Sequence, residues 1–158
     1  MKCAQCDNGT LETGVVERTV KVGELSYTAE VPAKVCPRCG AYRLSMDTVR
    51  RLSAKIAADL AKEGVATPEV FRYLRKRLKL SAKELATLLD VTPETVSRWE
   101  NGKHPMDLRA LKLLGAMVLD SLGERPGLLD YLRSLKEERE PRKLERRIPA
   151  LSCLENTP

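Results

Sequence analysis

Four cysteines constrain the fold of this chain of 158 residues more than any other feature, because they form two Cys-x-x-Cys pairs. The first pair is Cys3 and Cys6, and the second is Cys36 and Cys39. Each Cys-x-x-Cys turn sets two thiolates at the separation that one tetrahedral metal ion requires, so two turns supply a closed set of ligands. The spacing predicts a structural metal site with Zn²⁺ as the default ion and iron as the alternative. A redox disulfide is disfavoured, since it would require a βαβ context that this segment lacks.

The residues between the two pairs predict a β-hairpin that brings the four sulfur atoms together. Apolar side chains alternate with other residues in segments 16–22 and 25–31, as they do in half-buried strands. Gly23 and Glu24 separate these segments, and a glycine at the first turn position favours a two-residue hairpin loop. An antiparallel pair of strands returns the chain to its starting point, so the second cysteine pair should lie beside the first.

A helix should follow the second cysteine pair and complete the N-terminal domain. Asp47 is its expected N-cap and Gly64 its expected end. One face carries a stripe of apolar residues, namely Val49, Leu52, Ile56 and Leu60. We therefore expect residues 1–64 to form a zinc-binding domain with four cysteine ligands. The whole chain holds one Phe, one Trp and four Tyr, and a small domain so poor in large apolar side chains requires a metal to fold.

From residue 65 onward the pattern is helical and predicts an all-α domain that extends to residue 127. The face of its first helix carries Phe71, Leu74 and Leu78. Ser81 and Glu84 then form a capping box at the start of the second helix. Asp90 follows that helix, where a tight turn requires a residue that tolerates left-handed backbone.

The helix after this turn has two different faces. Thr92 is its expected N-cap, Pro93 lies in its first turn, and Gly102 lies just beyond its end. Val96 and Trp99 should point inward. A helix-turn-helix inserts the N-terminal part of its second helix into the major groove of DNA. The predicted base-reading residues are therefore those of the outward face, namely Glu94, Thr95, Ser97 and Arg98.

The charge distribution favours a polyanionic partner. The net charge is +6, and residues 65–127 hold 11 basic and 8 acidic side chains, the largest excess in the chain. No acidic residue interrupts the basic residues between positions 72 and 83. Taken alone, such a run is more often a solvated helix face, but beside a helix-turn-helix it suits phosphate contact. The predicted phosphate contacts are Arg75, Lys76, Lys79, Lys83, Asn101 and Lys103.

Two runs in this region are similar to known proteins. Lys-Glu-Leu-Ala at 83–86 and Val-Ser-Arg-Trp-Glu-Asn-Gly at 96–102 resemble the helix-turn-helix of lambda-type and Xre-type repressors. With Cys-x-x-Cys and Cys-Pro-x-Cys-Gly, they make residues 1–122 resemble the YgiT-type zinc-finger/helix-turn-helix proteins, the MqsA antitoxin family. That resemblance implies a zinc domain that contacts a ribonuclease toxin and a C-terminal domain that dimerises and represses the shared operon. It implies a base-reading role for Arg98, whereas Glu94 stands where the family has an asparagine.

The sequence thus favours the α+β class. A zinc-ribbon-like β-hairpin domain with one helix is followed by an all-α, Xre/lambda-repressor-like helix-turn-helix domain. The leading hypothesis is a dimeric repressor of a double-stranded DNA operator that also acts as the antitoxin of a ribonuclease toxin. The alternative is a stand-alone regulator without a toxin, whose zinc domain binds RNA, RNA polymerase or another protein. An enzyme is the weakest hypothesis, because the single histidine, His104, has no nucleophile paired with it and fits an exposed loop or a phosphate contact.

The remaining expectations concern assembly, the C-terminus and the cellular compartment. Two operator half-sites call for a homodimer, with a candidate interface at Leu111, Leu114, Val118 and the stripe from Leu128 to Leu135. Residues 128–158 should form a short helix and a flexible tail, and Cys153 is interpreted as an incidental thiol. No apolar run reaches the roughly 20 residues that cross a bilayer, and no signal-peptide stretch is present. We therefore expect a cytoplasmic protein without a membrane partner.

Overall fold

The computed structural model describes residues 1–7, 9–124 and 145–151. In chain order its elements are β1 Glu12–Val22, β2 Leu25–Val35, β3 Tyr42–Arg43, α1 Met46–Glu63, α2 Pro68–Arg77, α3 Ala82–Leu88, α4 Pro93–Glu100, α5 Leu108–Ser121 and β4 Glu145–Ile148. This order confirms the predicted α+β class. The helix predicted between Leu128 and Leu135 and the thiol of Cys153 lie outside the described residues. None of the described helices is long and apolar enough to cross a membrane.

The sheet that carries the cysteine pairs is built on the predicted hairpin. β1 and β2 are joined by a turn in which Gly23 has a φ of +58°, a value that favours glycine. β3 pairs antiparallel with the end of β2, so that Lys34 lies opposite Arg43. The alternation predicted for β2 is present, since its buried side chains are Leu25, Tyr27, Ala29, Val31 and Ala33. The hairpin therefore returns the chain to its first cysteine pair.

A fourth strand joins this sheet from the C-terminal part of the chain, where we expected a flexible tail. β4 pairs in parallel with β2, with Ser26 opposite Glu145 and Ala29 opposite Ile148. Three residues beyond β4, Leu151 is buried. The tail prediction is therefore wrong for residues 145–151. The physical reason is that a sheet edge exposes backbone N–H and C=O groups, which an added strand satisfies.

The start of α1 also differs from the prediction. Ser45, and not Asp47, caps the helix, because its hydroxyl accepts a hydrogen bond from the Thr48 N–H at 3.0 Å. Val49 is 43% exposed whereas Thr48 is buried. The buried stripe therefore begins at Thr48 and continues at intervals of four residues along one helix face, through Leu52, Ile56 and Leu60. Gly64 ends the helix as expected, with a φ of +65°.

The helices α2 to α5 form the predicted all-α arrangement. α2 packs against α4 and α5, and α3 packs against α4. The capping box of α3 is present: the Ser81 hydroxyl accepts from the Glu84 N–H at 3.1 Å, and the Glu84 carboxylate accepts from the Ser81 N–H at 2.7 Å. Asp90 has the predicted left-handed backbone in the turn between α3 and α4, with a φ of +53°. The two helices of the helix-turn-helix are therefore α3 and α4.

The described residues separate into two compact units. The first, here called the cysteine unit, contains the described residues of 1–20, 26–53 and 145–151. The second, here called the helical unit, contains residues 21–25 and 54–124. This border differs from the predicted one at residue 64, because the C-terminal part of α1 and the hairpin turn pack within the helical unit.

Candidate metal centre and nucleic-acid interface

The four predicted metal ligands lie together in the cysteine unit. All Sγ atoms of Cys3, Cys6, Cys36 and Cys39 are within 4.8 Å of one another. The Sγ atoms of Cys3 and Cys39 are 3.6 Å apart, and those of Cys6 and Cys36 are 3.8 Å apart. A tetrahedral ion with metal–sulfur bonds of about 2.3 Å separates its sulfur ligands by about 3.8 Å. The cluster therefore fits one tetrahedral ion, and four free thiols are present to bind it.

The two cysteine turns are built alike even though their sequences differ. The Asp7 N–H donates to the Cys3 carbonyl at 3.1 Å, and the Gly40 N–H donates to the Cys36 carbonyl at 2.9 Å. Asp7 and Gly40 both have left-handed backbone, with φ values of +50° and +72°. Aspartate adopts this conformation more readily than most residues because its short polar side chain can bond locally. Asp7 thus occupies the position in the first turn that Gly40 occupies in the second.

Gly9 is a site residue that sequence reasoning did not identify. Its carbonyl accepts a hydrogen bond from the Cys3 N–H at 2.7 Å. A Cβ atom at this position would lie 2.4 Å from the Cys36 Sγ and 3.3 Å from the Cys6 Sγ. Only a residue without a side chain can pass so close to two sulfur atoms. The available signal was a glycine three residues after Cys6.

The thiols of the cluster differ in acidity. Backbone hydrogen bonds from Gln5 and Cys6 lower the pKa of Cys3 to about 7. At Cys39 the backbone hydrogen bond from Ala41 acts in the same direction. Desolvation and hydrogen bonds with the other three thiols outweigh it and raise the pKa of Cys39 to about 12. Four thiolates this close repel one another, so the cluster holds its full negative charge only around a cation.

In the helical unit, α4 presents the polar face predicted for a recognition helix. The Thr92 hydroxyl caps it by accepting a hydrogen bond from the Thr95 N–H at 3.2 Å. On the inner face Val96 is fully buried, and the Trp99 ring meets the Phe71 ring edge to face at a centroid distance of 5.7 Å. This packing fixes the orientation of α4, and its outer residues Glu94, Ser97 and Arg98 are exposed.

The four predicted base-reading residues are not equally available. The Thr95 hydroxyl lies 3.0 Å from that of Thr92, and Thr95 is half-buried. Asn101 Nδ2 donates to the Ser97 carbonyl at 2.8 Å and to the Ser97 hydroxyl at 3.3 Å. Glu94 and Arg98 are the exposed charged side chains of this face. Arg98 and Glu94 are therefore the best placed of the four to form direct hydrogen bonds with base edges.

Four of the six predicted phosphate contacts are exposed lysines. They are Lys76 in α2, Lys79 after it, Lys83 in α3 and Lys103 after α4. Lys79 has left-handed backbone with a φ of +58°, a conformation that costs a non-glycine residue on the order of 1 kcal/mol. His104, next to Lys103, is an exposed loop residue, one of its two predicted roles. The positions of these lysines at or near helix ends suit sequence-independent contact with DNA phosphates.

Arg75 is not available for phosphate contact, contrary to the prediction. Its side chain is only 13% exposed, and its Nε and Nη2 donate to the two carboxylate oxygens of Glu100 at 2.6 Å and 2.9 Å. Its Nη1 donates to the Leu80 carbonyl at 2.7 Å. The hydrogen bonds to Glu100 raise the pKa of Arg75. Arg75 therefore joins α2 to the end of α4 and lies inside the helical unit.

The predicted phosphate contact Asn101 belongs to the same network. Arg72 Nη2 donates to the Glu100 carbonyl and to Asn101 Oδ1, both at 2.9 Å. Because the Asn101 amide also donates to Ser97, both ends of this side chain are bonded within the protein. Asn101 is exposed but closes the C-terminal end of α4. Sequence reasoning missed the contacts that join α2 to the end of α4, because the residues they join lie 25 to 29 positions apart in the chain.

The predicted dimer interface on α5 requires correction. Leu111, Leu114 and Val118 are at most 4% exposed in the single chain, so they belong to its core. The apolar side chain that α5 exposes is Leu113, at 48%. The inward stripe of α5 therefore stabilises the helical unit, and on α5 only the opposite face is open to a second copy.

Comparison with known proteins agrees with this geometry in the helical unit. A helix-turn-helix family model, HTH_3, matches residues 71–117. The match includes all of α3 and α4 and supports a DNA-binding transcriptional regulator. The four-cysteine cluster lies outside the matched residues. No curated protein matches the chain.

Proposed function

We propose that this chain is a zinc-containing transcriptional repressor that binds its operator as a homodimer and acts as the antitoxin of a type II toxin–antitoxin pair. The repressor part rests on one observation, the exposed polar face of α4 inside a domain that matches the helix-turn-helix family. The antitoxin part rests on the resemblance of residues 1–122 to the MqsA family. The proposal places the protein in the cytoplasm and assigns it no catalytic activity.

In this proposal α4 enters the major groove of the operator by its N-terminal end, with its outer face from Glu94 to Arg98 towards the bases. Arg98 donates two hydrogen bonds to guanine O6 and N7, and Glu94 accepts from cytosine N4. The exposed lysines Lys76, Lys79, Lys83 and Lys103 contact phosphates. Arg75 and Asn101 are excluded from these roles because their polar atoms are already bonded within the helical unit.

The sharpest test of DNA reading compares Arg98→Ala with Lys76→Ala. Loss of a bidentate base contact removes about 1–3 kcal/mol of discrimination, so Arg98→Ala should reduce the preference for the operator over a scrambled duplex. Loss of one phosphate contact makes the negative slope of log affinity against log salt less steep by about 0.9, and Lys76→Ala should weaken both duplexes equally. The measurement is a binding titration on both duplexes across a salt series. An equal loss on both duplexes for Arg98→Ala would reduce it to a phosphate contact.

The metal is proposed to be Zn²⁺ in a structural role. Four sulfur ligands suit zinc, and a site filled by four protein ligands has no open position for a reacting water. When bound, the ion would offset two of the four thiolate charges and would link the two cysteine turns. Elemental analysis of the purified protein should give one zinc per chain, and iron in its place would change the identity of the ion but not its structural role.

A homodimer is proposed because one helix-turn-helix makes few base contacts, while two copies can read half-sites about one helical turn apart. Leu113 is the candidate apolar contact on α5. Light scattering should give a dimer at micromolar concentration, and Leu113→Lys should shift it towards the monomer. A wild-type monomer that retained full operator affinity would contradict the dimer.

The toxin part is tested through the neighbouring gene and through neutralisation. We expect an adjacent reading frame for a small ribonuclease whose growth inhibition is relieved by co-expression of this chain. The double variant Cys36→Ser/Cys39→Ser should fail to neutralise the toxin, whereas Arg98→Ala should neutralise it fully. A solitary gene without such a neighbour would favour the stand-alone regulator, and the DNA-binding part of the proposal would be unaffected.

A further inference from the structure

The exposed face of α4 carries a hydroxyl group to which the proposed function assigns no contact. Ser97 lies one turn after Glu94 and directly before Arg98, and it is exposed. Serine is ambiguous in DNA recognition, because its hydroxyl can both donate and accept hydrogen bonds. It can therefore pair with either kind of group on a base edge unless the protein restricts it. The contacts around Ser97 supply such a restriction.

The restriction begins at Arg72, in α2. Its Nη2 donates to Asn101 Oδ1 and to the Glu100 carbonyl, both at 2.9 Å. A guanidinium group has donors and no acceptor. The Asn101 side chain must therefore turn its oxygen towards Arg72 and its NH₂ group away from it. Arg72 thus decides which end of the Asn101 amide faces the preceding turn of α4.

The NH₂ group of Asn101 lies against Ser97. Its Nδ2 donates to the Ser97 carbonyl at 2.8 Å and to the Ser97 hydroxyl oxygen at 3.3 Å. An amide NH₂ group cannot accept a hydrogen bond, so the hydrogen of the Ser97 hydroxyl must point elsewhere.

That hydrogen is available to a partner outside the chain. Two other hydroxyls of the helical unit, those of Thr87 and Ser121, donate to carbonyls of their own helices. Within the part of the chain that the structure describes, the Ser97 hydroxyl has no such acceptor. Because Ser97 is exposed on the outer face of α4, its hydroxyl can donate to a group that this face meets.

We propose that Arg72 and Asn101 are positioning residues that set Ser97 as a hydrogen-bond donor, and that Ser97 reads one acceptor on a base edge of the operator. Guanine, adenine and thymine each present an acceptor in the major groove, whereas cytosine presents the donor N4. Ser97 therefore rejects cytosine at the position that it faces and tolerates the other three bases. This inference rests on the proposed entry of α4 into the major groove.

The test measures how the full zinc-loaded chain binds a set of operator duplexes. The operator is selected from a random duplex library with the wild-type chain, and each base pair is then replaced in turn by the other three. At one position of each half-site, cytosine should weaken wild-type binding by about five- to tenfold, because a donor then faces a donor. Ser97→Ala should make the four bases about equal at that position alone, and Arg98→Ala should change the preference at a different position.

Asn101→Asp should reverse the preference. A carboxylate still accepts from Arg72, but it also accepts the hydrogen of the Ser97 hydroxyl, whose oxygen then presents its lone pairs outward. Cytosine at this position should then be bound a few-fold more tightly than the other three bases. Asn101→Ala leaves the hydroxyl free to rotate and should make the four bases about equal there. A loss of stability alone would weaken binding to every duplex by the same factor, so the reversal distinguishes positioning from folding.

Three results would overturn the inference. A Ser97→Ala chain that keeps the wild-type preference at every position would show that Ser97 reads no base. An Asn101→Asp chain that still rejects cytosine would show that Arg72 and Asn101 do not set the direction of the hydroxyl. A wild-type chain without any preference for its selected operator would overturn this inference together with the proposed function, whereas the first two results would leave the proposed function standing.

Discussion

The two cysteine turns and the helical unit of this chain have different interiors. Around the sulfur atoms, the packed side chains besides the cysteines are Leu11 and Ala41, and the other buried apolar side chains of the cysteine unit, such as Tyr27 and Val31, belong to its hairpin. The helical unit instead has an interior of large apolar side chains, among them Val70, Phe71, Leu74, Leu85, Val96, Trp99 and Leu114. The cysteine turns thus have few large side chains to hold them together, which is the situation in which a small domain depends on a bound metal ion.

The two units also position their functional side chains differently. In the cysteine unit the ligands are set by backbone hydrogen bonds and by the left-handed residues Asp7 and Gly40. In the helical unit α4 is oriented by side-chain packing and by the pair of Arg75 with Glu100. We therefore expect the first unit to respond most to metal loss and backbone crowding, and the second to the truncation of side chains.

Metal removal should reveal the difference in stability between the two units most clearly. Structural zinc contributes on the order of 10 kcal/mol to the folding of small zinc domains, so chelation or Cys36→Ser should disorder the cysteine turns. The helical unit should remain folded. Trp99 is the only tryptophan and lies in that unit, so its fluorescence reports the helical unit alone. Loss of the native Trp99 signal on chelation would show that both units depend on the metal.

Glu100→Ala should be the most damaging single change in the helical unit. It leaves the buried guanidinium of Arg75 without its carboxylate, and breaking a buried ion pair in this way costs about 3–5 kcal/mol. Urea unfolding followed by Trp99 fluorescence measures the change. Glu94→Ala is the matched control, because Glu94 is exposed on the same helix and should shift stability by no more than about 0.5 kcal/mol. Equal effects of the two changes would remove the structural role assigned to Glu100.

Gly9→Ala should weaken the metal site without touching a ligand. The new methyl group would lie 2.4 Å from the Cys36 Sγ, and overpacking of this kind costs about 1–3 kcal/mol. Competition with a chromogenic chelator should show zinc affinity reduced by about tenfold or more. Gly14→Ala is the control, since its methyl group would meet only the Val35 side chain, 3.2 Å from Cγ2, and no cysteine. Unchanged affinity in Gly9→Ala would mean that the turns can move apart without loss of the site.

Lys79→Gly should have the smallest effect on stability. It distinguishes the effect of backbone strain, which acts on stability, from the effect of charge, which acts on DNA binding. Glycine relieves the left-handed backbone of Lys79 but increases the entropy of the unfolded chain, so stability should rise by no more than about 1 kcal/mol. The negative slope of log affinity against log salt should become less steep by about 0.9 than in the wild type. Lys79→Asn keeps a residue that tolerates this backbone, and its salt slope should equal that of Lys79→Gly. A salt slope equal to wild type in both variants would exclude Lys79 from phosphate contact.

Local patterns were sufficient to predict most elements of the fold. The alternation in β1 and β2, the capping box of Ser81 and Glu84 and the turn at Asp90 each depend on residues close together in sequence. The N-cap of α1 was assigned to Asp47 although Ser45 fills it. Both residues suit a cap, and the choice depends on where the chain leaves β3, which local sequence does not determine.

The residues of the candidate sites were likewise predicted correctly where they depend on local sequence and wrongly where they depend on tertiary contacts. The Cys-x-x-Cys spacing identified all four residues of the sulfur cluster, and the outward face of α4 was identified from its helical period. Arg75 and Asn101 were assigned to phosphate from their charge or polarity and their position. Glu100 of α4 occupies the guanidinium of Arg75, and Asn101 accepts a hydrogen bond from Arg72 of α2 while its amide donates to Ser97 one turn earlier.

The sequence by itself determined most of the elements, the four cysteines and the polar face of α4, because helix and strand periods and Cys-x-x-Cys turns act over a few residues. Only the tertiary structure decided that Gly9 must lack a side chain, that Glu100 pairs with Arg75 and that β4 closes an edge of β2. Each of these depends on the approach of distant parts of the chain. Whether two such parts meet is set by the packing of the whole unit, since no local pattern encodes the distance between them.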